Sequence, residues 1–201
     1  MITSTPGRTK WRRRGRSIGA ESYAICPSRQ GSVNLAGMTG RIESINIAPT
    51  AAAPMVSVSQ ARAVPGRGLE GDRYFEGVGT YSDPTSPSRE VTLIELEAIE
   101  AIEQEEGIVI VPGTARRNIV TSGIALNHFV DKEFKLGEVT LYGIRLCEPC
   151  NYLEELTEKK GIRRALVHRG GLRAEIRTEG TLRVGDEFVL TDTAISGPPK
   201  P

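Results

Sequence analysis

The chain has 201 residues, 38% of them hydrophobic and 25% charged, and a formal net charge of +1. That is ordinary for one globular domain with tails, and the near-neutral balance excludes a dedicated polyanion binder. No apolar run approaches the ~18 residues of a membrane span, and the basic N-terminus lacks the apolar stretch of a secretory signal, so a cytoplasmic protein binding neither membrane nor nucleic acid is expected. Charge is nonetheless local: RTKWRRRGR (8–16) is basic and ELEAIEAIEQEE (95–106) is acidic.

Residues 1–37 are rich in Arg, Ser and Gly without apolar periodicity, and are read as a disordered basic leader or as sequence upstream of the true start, since Met38 opens MTGRIESINIAP. The domain proper is placed at 38–190, with 191–201 as a loose tail. RIESINI and MVSVSQARAV alternate side chains in period two and predict early strands. PGRGLEGDRYFEGVGTYSDPTSPSRE (65–90) is broken by Gly, Pro and Ser; loops of this length often carry function.

VTLIELEAIEAIEQEEG predicts a strand turning into a helix, with Leu96, Ile99 and Ile102 on the buried face, a solvated row of glutamates and Gly107 as the stop. RRNIVTSG reads as a short strand, IALNHFV as a short helical or irregular piece, and GEVTLYGIRL as another strand. NYLEELTEKKG predicts a helix capped by Asn151 with Glu154 three residues on, ending at Gly161. LRAEIRTEG and TLRVGDEFVLT predict closing strands. Short, scattered strands outnumber helices without βαβ alternation. The fold class is therefore mainly β with small helices, a β-rich α+β barrel.

Two of the three cysteines, Cys147 and Cys150, stand three apart where a strand meets a helix. An odd number of cysteines does not suit a disulfide framework. A helix N-terminus favours the thiolate, which is the reactive form. Buried filler is the plain alternative, because free cysteine is among the most buried residues. A zinc site would need Cys26, His128 or His168 to complete four ligands, with His128 read as a core histidine and His168 as exposed. A dithiol redox protein using Cys147 and Cys150 is a further alternative, as is a non-catalytic cofactor carrier.

GLEGDRY (68–74), ARRNIVTSG (115–123), FKLGEVTLYGIRLCEPC (134–150) and RGGLRAEIRTEGTLRVGDEF (169–188) occur in an order and at separations that resemble the MOSC family, the domain related to the C-terminus of molybdenum-cofactor sulfurases. The resemblance spans about residues 38–190. It implies a barrel-like β fold that binds molybdenum cofactor or carries sulfur, with reduction of N-hydroxylated compounds as one activity. Cys150 maps onto the cysteine that ligates molybdenum or bears sulfur, and Cys147 is a second candidate. Arg116, Arg117 and Asn118 match an Arg-x-Asn region and, with Arg73 and Arg173, are the residues expected to bind the anionic cofactor. Asp72 is expected to cap a turn. The pyridoxal-phosphate domain of the fused sulfurases has no counterpart here, so the resemblance also implies an external sulfur donor or an electron-donating reductase, and a small-molecule substrate.

Overall fold

The computed structural model describes residues 40–82, 89–111 and 113–190, so the predictions for the leader, the tail and Cys26 lie outside the described residues. Eleven strands are seen among them: β1 (Arg41–Ile47), β2 (Val56–Val58), β3 (Gln60–Val64), β4 (Gly68–Leu69), β5 (Val91–Glu95), β6 (Ile119–Ser122), β7 (Glu133–Leu136), β8 (Val139–Leu146), β9 (Leu172–Ile176), β10 (Gly180–Arg183) and β11 (Phe188–Leu190). Three short α-helices accompany them, α1 (Leu96–Glu106), α2 (Asn151–Thr157) and α3 (Ile162–Ala165), with a 3-10 turn at Leu126–Phe129. The β-rich class with small helices is therefore the observed one. No helix among the described residues is long and apolar enough to cross a membrane.

The main sheet runs β11-β7-β8-β9-β5-β6-β1-β2. Its neighbours are antiparallel except β5 and β6, which α1 connects as a parallel crossover. The sheet curls until its ends meet: Arg41 bridges Glu187, Ile42 N–H donates to Asp186 O at 2.9 Å, and Phe188 N–H donates to Gly40 O at 2.8 Å. This joins β11 to β1 and leaves β2 as a flap outside the closure. Closing a sheet on itself removes edges that would otherwise expose unpaired backbone groups.

Strand alternation sorts the apolar residues onto two sides. Leu93 and Ile119 join Ile42, Ile45, Phe129, Phe134 and Leu141 inside the curl, while their neighbours Ile94 and Val120 face outward onto Ile99 and Ile102 of α1 and Ile162 and Leu166 beside α3. Residues 91–94 are thus buried on both faces, which is why they read as a continuous apolar run. Burying a Leu or Ile side chain stabilises by about 1.5–3 kcal/mol, so these two clusters dominate what holds the fold.

Helix α1 follows its sequence closely. Ile99 and Ile102 are buried, Glu97, Glu100, Glu103, Glu105 and Glu106 are exposed, and Gly107 ends it in the left-handed region at φ 66°.

Several sequence expectations need correction. MVSVSQARAV is two strands, because the chain leaves the main sheet after β2 and β3 pairs with β4 and β10 in a separate three-stranded sheet. Helix α2 begins one residue earlier than expected: Cys150, not Asn151, is its N-cap, and Glu158 (φ 53°) ends it short of Gly161. Gly161 instead precedes α3, an element that the sequence reading missed, and Glu154 accepts from Arg163 N–H at 3.2 Å rather than capping its own helix. His128, read as a core histidine, is exposed.

Candidate functional site

The four motifs meet at one place through buried polar contacts. Asp72 of GDRY is 1% exposed. Its Oδ1 accepts from Tyr74 N–H at 3.1 Å, the expected turn-capping bond. Its Oδ2 accepts from Ala48 N–H, Arg73 Nη1 and Asn118 Nδ2 at 3.1–3.2 Å. Asn118 of ARRN is also 1% exposed and is fully committed: Oδ1 accepts from Thr92 N–H and Oγ1, while Nδ2 donates to Asn46 O as well as to Asp72. Its side chain fastens β1, β5 and the GDRY turn together and does not reach the cleft described below. Buried polar groups paired this completely fix a local structure, since leaving any one unpaired costs about 1–3 kcal/mol.

Arg117 is buried and donates three hydrogen bonds to backbone oxygens: Nε to Gly170 at 2.7 Å, Nη1 to Ala115 at 2.9 Å and Nη2 to Cys147 at 2.8 Å. The planar fork of arginine suits three divergent carbonyls, which an ammonium could not span. Cys147 N–H in turn donates to Gly171 O at 2.7 Å. The arrangement needs the two glycines of RGG. A Cβ at Gly170 would lie 2.4 Å from Cys147 O, and one at Gly171, where φ is +93°, would lie 1.8 Å from Leu93 O.

These constraints separate the two thiols. Cys147 is 1% exposed and packs as buried filler, whereas Cys150 is exposed; both are free. Cys150 lines an open cleft with Arg73, Arg116, Arg117 and Arg173 of the expected set, enclosing about 550 Å³ of empty space including the part open to solvent. Arg73 is 5% exposed and pairs with Asp72 at 3.1 Å. Arg116 sits at φ 56° and donates to Ala51 O and Ala53 O, both at 2.6 Å. Burial first, and then the charge of Arg73, hold its guanidinium below the ordinary arginine range. Arg173 enters from β9, half-buried. Of the residues expected from the sequence, the cleft thus gathers Cys150 and the four arginines and leaves out Cys147 and Asn118.

Sequence reasoning missed the four further ionisable side chains of its lining: Tyr74, Tyr81, Glu148 and Tyr152. Tyr81 lies in the Gly- and Ser-rich stretch marked as a functional loop, and its hydroxyl is 3.8 Å from Cys150 Sγ. Its ring meets Tyr152 edge-on, with centroids 6.1 Å apart. Glu148, inside the Cys-x-x-Cys segment, accepts from His168 N–H at 3.1 Å and faces His168 Nδ1 at 3.2 Å. His168 is exposed, as expected. No group of three or more His, Cys, Asp or Glu side chains suited to a metal ion exists among the described residues. The zinc reading therefore gains no ligand set there, and the dithiol reading faces one thiol buried and the other exposed.

An open, cationic pocket holding a single accessible sulfur can bind an anionic group and present a soft ligand or nucleophile to it. No curated protein matches the chain. Among solved structures it is similar to the YUAD protein from Bacillus subtilis, with a TM-score of 0.63 and 19% identity over 75% of this chain and 94% of that one. It is likewise similar to YiiM from Geobacillus stearothermophilus, with a TM-score of 0.60 and 14% identity over 76% and 75% of the two chains. YiiM from Escherichia coli gives a TM-score of 0.55 and 16% identity over 76% and 70%. At such identities the likeness speaks for the fold. The family model for the MOSC domain matches residues 80–189, more than half of the sequence. The chain belongs to the MOSC domain family.

Proposed function

We propose that this MOSC-domain protein binds the molybdenum cofactor with the Cys150 thiolate as a ligand to the metal, and works as a small molybdenum oxidoreductase. One observation carries the reading: the exposed sulfur of Cys150 opens into a cleft lined by Arg73, Arg116 and Arg173. The donor set fits the group, since a soft thiolate suits a thiophilic metal and the guanidiniums suit the anionic, phosphate-bearing part of a pterin cofactor. Arg117 and Asn118 support this site at one remove. Arg117 holds the backbone of Cys147 and Gly170, and Asn118 holds Asp72, which in turn anchors Arg73.

When bound, the cofactor supplies two-electron redox chemistry. The chain's own residues bind and orient it, with Tyr74, Tyr81 and Tyr152 presenting aromatic surface to a flat substrate. N-hydroxylated bases or amines are the first substrates to try, and a separate reductase is required as the electron source. The test is to incubate the purified chain anaerobically with cofactor released from another molybdoenzyme, remove the excess, and measure retained molybdenum and the reduction of an N-hydroxylated base by an artificial electron donor. Retention near one metal per chain with turnover supports the reading; no retained metal overturns it.

A second reading, a sulfur carrier, is favoured by the burial of Cys147. A persulfide formed on Cys150 would have no accessible thiol in the same motif to attack and release it. An external donor would transfer its sulfane sulfur to the Cys150 thiolate. A mass gain of one sulfur atom at Cys150 after exposure to a desulfurase-type donor supports this, and an unmodified mass counts against it.

A further inference from the structure

GEVTLYGIRL reads as a plain strand, but β8 carries a bulge. Gly143 stands opposite Ala174 of β9 and Arg145 opposite Arg173, so Ile144 is an extra residue between them. In an unbroken ladder Ile144 would face Arg173, and Arg145 would face Leu172, whose side chain is buried inside the curl. The bulge instead sets Arg145 beside Arg173 on one face of the sheet. It is fastened through Gly143. Asp131 N–H donates to Gly143 O at 2.8 Å, Gly143 N–H donates to Lys132 O at 2.9 Å, and a Cβ on Gly143 would lie 2.0 Å from Phe129 O.

Cations directly opposite each other on neighbouring strands repel, with Cβ atoms only about 5 Å apart. Arg145 is exposed, and no ion pair among the described residues includes it. Glu175, two positions from Arg173 on the same face of β9, pairs with Arg177 at 2.9 Å. Arg173 lines the cleft with Cys150, Arg73 and Arg116, so its partner on β8 carries the positive charge of the cleft outward to an exposed position.

We propose that Arg145 and Arg173 form a second anion subsite at the edge of the cleft, which takes a phosphate or diphosphate group. Two guanidinium forks side by side match adjacent phosphate oxygens, and a bound oxyanion replaces their mutual repulsion with attraction to a shared partner. The group belongs either to the bound cofactor or to a phosphorylated substrate beside it. The proposal rests on the reading of the cleft as the binding site, and not on molybdenum itself.

The experiment is calorimetric titration of inorganic pyrophosphate into the full, metal-free chain. Saturable binding is expected in the wild type, weakened about tenfold in Arg145→Met and in Arg173→Met, the scale of one lost charge-assisted contact. Lys135→Met removes an exposed cation from β7 and should bind as the wild type does, which controls for net charge. Without anion, Arg145→Met should melt no lower than the wild type, because it relieves the repulsion. No saturable binding by the wild type, wild-type affinity in Arg145→Met, an equal loss in Lys135→Met, or a midpoint of Arg145→Met well below the wild type overturns the proposal. The same titration on chain loaded with molybdenum cofactor identifies the source of the group. Arg145-dependent binding that persists assigns the subsite to a phosphorylated substrate, and binding abolished by loading assigns it to the cofactor's own phosphate; both support the subsite. A chain that retains no metal overturns the cofactor reading while the metal-free titration still decides the subsite, so the two failures are distinguishable.

Discussion

Arg117 Nη2 donates to the backbone oxygen of Cys147 at 2.8 Å, so a buried cation from one motif fixes the strand end from which the Cys-x-x-Cys segment departs. Its neighbour Arg116 donates to two loop carbonyls and stays partly exposed on the cleft wall. Adjacent arginines therefore have different work.

Arg117→Met removes three hydrogen bonds and strands the carbonyls of Ala115, Cys147 and Gly170. A loss of about 2–4 kcal/mol is expected, larger than for Arg116→Met, and urea unfolding of the two variants checks it. Equal midpoints would mean that the three bonds add nothing beyond those of Arg116.

The fold was readable where a local rule and the tertiary setting agree. In α1 the 3.6 period, the exposed glutamates and Gly107 all point one way, and the helix lies where they put it. The end of α2 was misread because Gly161 serves the next helix, and a C-terminal glycine looks the same in sequence whichever helix it serves. At the site, the motif residues were legible but their division of labour was not. Arg116 and Arg117 are one residue type side by side, and only the path of the chain shows that Arg117 reaches Gly170, 53 positions away. Tyr81 carried no motif signal beyond its position in a long broken loop.

Glu90 is 7% exposed and accepts from Ile176 N–H at 2.8 Å. Burial raises its carboxyl above the ordinary range, outweighing the backbone hydrogen bonds that lower it. The folded chain therefore holds this proton more tightly than the unfolded chain, and its contribution to stability is lost as pH rises from the unfolded value through the folded one. Thermal midpoints compared between wild type and Glu90→Gln from about pH 4 to 7 should show the wild type losing ground to the variant as pH rises. A difference constant with pH contradicts this.

The two cysteines of the motif should differ in reactivity by virtue of burial alone. In the native protein Cys150 is alkylated readily and Cys147 only after denaturant is added, because a sulfur 1% exposed must await opening of the fold. Site-resolved mass spectrometry reads the two rates, and equal native rates would refute the separation.

The central claim is that the Cys150 sulfur holds the cofactor in the arginine-lined cleft. It is tested most directly by molybdenum and pterin content in anaerobically purified wild type, Cys150→Ser and Cys147→Ala. The account predicts metal and pterin in the wild type, their loss in Cys150→Ser and their retention in Cys147→Ala. Molybdenum undiminished in Cys150→Ser, or zinc in its place in all three, would contradict it.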